Sequence, residues 1–166
     1  LSAWSSIDFE GSGGGARLAE VDLLLHYEHV LGPVTLDAGF ETWFYPQTQD
    51  AETTAEANLA IAVALTGGLS AFLKTNVDVI ATPGSYFGED GLRWSATLGD
   101  AEQVEVGLLA SIGWGSALFN RTNTEVDAWA LDTASAGFEV TWSFWGPLFL
   151  RPHGLVTVVT DGRIAD

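Results

Sequence analysis

The chain contains no cysteine and no methionine, and only six basic residues stand against 22 acidic ones. Without cysteine there is no disulfide, no thiol nucleophile and no thiolate-bound metal. A formal charge of −16 repels phosphate and excludes sequence-independent binding to nucleic acid. A chain that opens on Leu1 and holds no Met reads as one with a processed or trimmed N-terminus. Long apolar runs are scarce too. The longest uncharged stretch, 57–73, is 17 residues and is interrupted by Thr66-Gly67-Gly68. A spanning helix wants about 20 apolar residues, so no transmembrane helix is expected. What the chain does have is 47% hydrophobic residues and seven Trp, which excludes a disordered chain. Its 166 residues predict a single domain over 1–166.

The hydrophobic residues recur with period 2. Val21, Leu23, Leu25 and Tyr27 alternate with Glu20, Asp22, His26 and Glu28. Leu59, Ile61, Val63 and Leu65 alternate with Asn58 and a run of alanines, and Val104 to Trp114 alternates with Gln103, Glu105, Gly107 and Ser111. Sustained alternation of this kind makes the protein all-β. Nine strands are expected, at 1–9, 18–30, 33–46, 55–66, 68–80, 91–99, 103–115, 133–144 and 147–160. Most are longer than the five or six residues usual in soluble sheets.

The connections alternate in length. Leu31-Gly32, Thr66-Gly67-Gly68, Asp100-Ala101-Glu102 and Trp145-Gly146-Pro147 are tight turns, whereas 10–17, 47–54, 81–90 and 116–132 are long polar loops. Short turns at one end and long loops at the other predict an antiparallel up-and-down transmembrane β-barrel of the outer-membrane type. Aromatics near strand ends (Tyr27, Phe44, Trp94, Trp114, Trp142, Phe144) suit two interfacial girdles. Bacterial barrels normally have an even strand number, so nine strands predict about ten to twelve in the complete barrel, with a terminal strand or strands missing here. A soluble, lipocalin-like ligand-binding barrel would show the same alternation.

Several stretches carry a resemblance: LSAWSSIDFE (1–10), EVDLLLHYEH (20–29), VTLDAGFETWFYP (34–46), TAEANLAIAV (54–63), LSAFLKTNVDV (69–79) and FEVTWSFWGPLFL (138–150). With the Tyr45-Pro46 strand end, these make the chain similar to an uncharacterised family of proteobacterial outer-membrane β-barrel proteins, catalogued as conserved hypothetical proteins. The resemblance implies a membrane barrel in the bacterial envelope, usually with further strands at its start. It implies no activity and no catalytic residues.

Tight turns fix register, so facing residues can be written down. Across Leu31-Gly32 the expected pairs are Glu28 with Thr35, His26 with Asp37 and Asp22 with Glu41. Across Thr66-Gly67-Gly68, Asn58 faces Asn76 and Glu56 faces Asp78. Across the last turn Glu139 faces His153, with Arg151 as a diagonal neighbour. Asp22, Glu41, Glu56 and Asp78, with Glu20 and the loop acids Glu10, Asp50, Glu52, Glu89 and Asp90, make an acidic vestibule, and Lys74, Arg93 and Arg151 are its counter-charges. Such a mouth concentrates cations and repels anions. The alternative is a packed polar interior without a pore, since small barrels are filled by side chains. His26–Asp37 has the look of a general-base pair, but no nucleophile or second acid stands beside it, and a lumenal ion pair is the better reading. No catalytic residue, metal site or cofactor is expected, the three His being dispersed and no EF-hand spacing being present. The expected function is therefore non-enzymatic: passage of small cations, or a structural role in the envelope. The partner is the lipid bilayer. Copies of the chain joined through a free strand edge, as an oligomer or an extracellular tubular filament, form the competing reading.

Overall fold

The computed structural model describes residues 2–9, 16–46, 53–99, 104–145 and 148–165. Its strands are β1 (Ser2–Phe9), β2 (Ala16–Leu31), β3 (Val34–Phe44), β4 (Thr54–Ala64), β5 (Leu69–Asp78), β6 (Tyr86–Leu98), β7 (Val104–Gly115), β8 (Ala130–Trp145), β9 (Leu148–Leu150) and β10 (His153–Val159). Helix α1 (Ala117–Thr124) lies between β7 and β8, and α2 (Gly162–Ala165) follows β10. All strands belong to one antiparallel sheet in sequence order, so the all-β, up-and-down expectation holds. The stretch expected as one strand at 147–160 is two, both on the same edge of β8. They are split at Arg151-Pro152, where proline has no N–H to give the ladder. The Pro152 carbonyl still accepts from Val140 N at 2.9 Å. The sheet thus has nine positions. It is open: among the described residues β1 and β10 each pair on one side only.

The side chains are sorted by face in the reverse of a soluble protein. Among the described residues the only buried hydrophobics are Ala55 and Ala130, while Asp22, Ser85, Ser111, Ser116, Asn120 and Asp132 are buried. Leu25, Tyr27 and Phe138 are 57, 68 and 52% exposed. Leu25 and Tyr27 project from the face opposite to Asp22 and His26, because successive strand residues point to opposite sides. The register carries this division from strand to strand, joining Leu25 to Phe40, Ile61 to Leu73, and Leu108 to Phe138. One face is apolar except for Asp90, which the register sets between Leu73 and Ile112 on that face and not in the expected acidic mouth. Its Oδ2 accepts from Trp114 Nε1 at 3.2 Å. The other face collects the remaining charges, amides and small residues.

The β2–β3 register differs by two residues from the expected one. Leu31 pairs with Val34, leaving Gly32-Pro33 as a two-residue loop in which Gly32 has φ +59°. Glycine takes a positive φ there at no steric cost. Pro33 is excluded from the ladder by its missing N–H, which moves every pair along. His26 therefore faces Gly39, Glu28 faces Asp37, Leu24 faces Glu41, and Asp22 faces Trp43. The expected registers of β4–β5 and β8–β10 are the observed ones, with Glu56 opposite Asp78, Asn58 opposite Asn76 and Glu139 opposite His153.

Two long connections are shorter than expected. Strand β6 begins at Tyr86, so Glu89 and Asp90 are strand residues rather than loop acids. The segment 116–132 contains α1, and β8 begins at Ala130. A bulge beside Gly113/Trp114 leaves Asp132 without a partner on β7 and interrupts the alternation there. Glu10, Asp50 and Glu52 lie outside the described residues, as does the 100–102 turn.

Candidate functional site: the acidic end of the polar face

Four strands each bring one acid to the polar face near the long-loop end: Asp22 from β2, Glu41 from β3, Glu56 from β4 and Asp78 from β5. Glu41 stands opposite Glu56, and Glu56 opposite Asp78. Asp22 is a diagonal neighbour of Glu41 rather than its facing partner. Directly opposed side chains on an antiparallel pair lie about 5 Å apart at Cβ, and like charges so placed repel. The Glu41–Glu56 pair escaped the sequence reading because β3 and β4 are joined by a long connection.

The four acids are not equivalent. Asp78 is committed to its own loop: Oδ1 accepts from the backbone N–H of Ile80 and Thr82, both at 2.9 Å, and Oδ2 accepts from Thr54 Oγ1 at 3.0 Å. It organises the turn into β6 more than it charges the mouth. Glu56 accepts from Asn76 Nδ2 at 2.8 Å through Oε2, leaving Oε1 outside that bond. Asp22 is 9% exposed and its Oδ1 is buried without a hydrogen-bond partner. None of the five ion pairs among the described residues involves Asp22, Glu41 or Glu56. Just past β3, the Tyr45 phenol is pushed above its ordinary value, first by burial and then by Glu20 and Asp22 beside it. Negative charge gathers at this end, and no ion pair among the described residues cancels Asp22, Glu41 or Glu56.

The three expected counter-charges pair with other groups or stack on rings. Lys74 Nζ is 2.6 Å from Glu89 Oε2. Arg93 lies over the Phe72 ring, 5.5 Å from its centroid, a favourable cation–π distance. Arg151 Nε is 3.9 Å from Glu139 Oε1 and its guanidinium stacks on Phe149 at 5.2 Å. Arg93, Glu139 and His153, with Glu105, line a concavity of about 450 Å³ towards the short-turn end. Arg93 and Arg151 therefore belong to a second, mixed-charge region, and neither they nor Lys74 pairs with the acidic row.

His26 Nδ1 approaches Asp37 Oδ1 at 3.3 Å although the two residues do not face one another. Gly39 permits this: a Cβ there would sit 2.2 Å from Asn58 Oδ1 and 2.8 Å from His26 Nδ1. The pair is more than a third exposed on the histidine side, and it is a hydrogen-bonded contact of the polar face. Among the described residues no three His, Cys, Asp or Glu side chains are grouped to hold a metal ion.

Helix α1 was not foreseen. Ser116 caps it: its Oγ accepts from Phe119 N and Tyr86 N, each at 3.1 Å, tying the first turn of the helix to β6. Asn120, with no exposed surface, donates through Nδ2 to Ala128 O at 2.9 Å and Gly115 O at 3.4 Å. The helix is thereby held against the long-loop end of β6 and β7. Between it and the acidic row lies a pocket of about 220 Å³, walled by Glu56, Asn76 and Asp78 on one side and by Phe119, Thr122 and Asn123 on the other. A serine followed by eight residues without Pro or Gly was the available signal, but their scattered polarity gave no helical stripe.

Comparison with known proteins matched no family model, no curated protein and no solved structure.

Proposed function

We propose that this chain forms a bacterial outer-membrane β-barrel whose polar face lines an acidic lumen and passes small cations. One observation carries this reading: large apolar side chains are exposed along one face of the sheet, while on the other Asp22 and Ser111 are buried and Glu41, Glu56 and Asp78 are half-buried. In water that arrangement forgoes the hydrophobic stabilisation of a core, but in a bilayer it matches lipid outside and a polar interior. The outward aromatics support it. Trp94 donates to the Gly67 carbonyl at the short-turn end, and Tyr86 and Trp114 pack edge to face at the long-loop end. Cation preference rests on the row of Asp22, Glu41 and Glu56. No enzymatic step is assigned.

The test is the reversal potential of purified, folded protein in a planar bilayer under a KCl gradient. Stepwise, cation-selective conductance is expected. Silence from protein shown to be inserted would refute passage and leave a structural envelope role.

A second reading follows from the edges. The nine sheet positions alternate in direction, so β1 and β10 run the same way. Antiparallel closure then takes a further strand between them. That strand comes either from a longer barrel or from another copy of the chain. β10 has no charged residue and no proline to guard its free edge, the condition under which copies join into oligomers or filaments. Particle size in detergent separates the two: a single-chain barrel runs as one small species and an assembly as large particles.

A further inference from the structure

We infer that the pocket beneath α1 is a binding site for a small organic cation of the alkylammonium class. The inference rests on the acidic-mouth reading and adds the class of solute recognised there. Its chemistry comes from opposite walls. Glu56 supplies a carboxylate whose Oε2 is fixed by Asn76 Nδ2 at 2.8 Å, so the group is oriented before any ligand arrives. Glu41 stands opposite it on β3, adding a second negative charge behind the first. Phe87 and Phe119 pack at 5.2 Å between ring centroids and contribute an apolar, aromatic surface to the same pocket. A carboxylate joined to aromatic rings recognises an ammonium that carries carbon, through charge, cation–π attraction and burial of the alkyl part.

Size argues in the same direction. A single water claims about 30 Å³, so a pocket of about 220 Å³ is far larger than a bare metal ion needs. It is also smaller than the sites of drug-sized ligands, which begin at roughly 300 Å³. Thr122 and Asn123 close the rim from α1, and the helix that carries them is anchored by the Ser116 cap and the buried Asn120. The roof is part of the fold.

The probe is n-butylammonium, with n-butanol as its uncharged counterpart, followed by ligand-observed NMR on the folded protein in detergent. Saturable butylammonium binding with a dissociation constant on the order of 1 mM is expected, and none for butanol. Glu56→Gln should weaken it at least ten-fold. Thr122→Trp, on an exposed position of α1, should abolish it by filling the pocket while leaving every acid in place. Binding that survives both variants is micelle or general-surface association and overturns the inference. So does loss in Glu56→Gln alone, which would mean a diffuse electrostatic mouth. The pore reading is scored separately: selective conductance without butylammonium binding sinks the pocket and keeps the pore. Binding lost in both variants of a non-conducting protein does the opposite.

Discussion

Replacing Glu41 and Glu56 together by glutamine isolates the charge of the acidic row, because the two face one another and neither has an ion-pair partner among the described residues. A cation passing about 5 Å from one carboxylate in a wet lumen gains about 0.8 kcal/mol at a dielectric constant near 80. Screening at 0.1 M salt, with a Debye length of about 10 Å, reduces this to about 0.5 kcal/mol. Two charges then favour a cation by about 1 kcal/mol, roughly five-fold, and disfavour an anion by the same factor, so the double variant should lower the cation-to-anion permeability ratio roughly 25-fold. Under a ten-fold KCl gradient an ideal cation filter reverses near ~59 mV, and the double variant should move clearly towards zero. The difference should shrink at 1 M salt, where the Debye length is only ~3 Å. Glu139→Gln is the control: its carboxylate lies towards the short-turn end beside Arg151, and the reversal potential should hardly change. An unchanged ratio in a folded double variant, or a wild-type ratio indifferent to salt, would refute the acidic row as the filter.

Three further outcomes are expected. Leu59→Arg places a charge in the middle of the apolar wall and should cost about 2–4 kcal/mol of membrane-inserted stability, whereas Ala60→Arg, on the polar face, should cost much less; denaturant titration in detergent or lipid reads both, and equal costs would remove the sidedness on which the membrane reading stands. Asn120→Ala removes the donor to the Ala128 and Gly115 carbonyls and should destabilise the α1 segment by about 1–3 kcal/mol, seen as faster amide exchange in 116–129 than in β4–β5; unchanged exchange would show that the helix is held by other contacts. The Asp161 carboxyl is held down at about 2 by hydrogen bonds from Arg163, chiefly from its side chain, with the Arg163 N–H accepted at 2.9 Å. A depressed acid stabilises above its unfolded value and loses that contribution as pH falls through the folded one, so α2 should open between about pH 4 and pH 2. NMR shifts of 162–165 that stay constant over that range would contradict the pairing.

How far the sequence could be read depended on what set the register. Period-2 alternation announced the strands and the two faces, and it did so without reference to any partner. Where a glycine-rich turn joined two strands directly, as at Thr66-Gly67-Gly68, the facing pairs Asn58–Asn76 and Glu56–Asp78 followed at once. At Gly32-Pro33 the same reasoning slipped by two residues, because proline's missing N–H places it in the loop and alternation cannot tell a two-residue shift from none: both keep every side chain on its face. The expected contact of His26 with Asp37 survives the slip as a diagonal one, made by a lean into the empty glycine position at Gly39. The Glu41–Glu56 pair was beyond reach for another reason. Strands β3 and β4 are joined through 45–53, and a long loop leaves the offset between its strands undetermined by local geometry. The bulge at Asp132 and the helix at 117–124 broke the pattern outright. Both lie at the long-loop end: the helix faces Glu56 and Asp78 across the pocket, and the bulge is on β8, away from the strands that carry the row. The four acids themselves follow the repeat; what it could not supply was the offset of β3 against β4 and the helix across the pocket, whereas the apolar wall, Asp90 apart, needs only the repeat and is the part that the sequence stated most clearly.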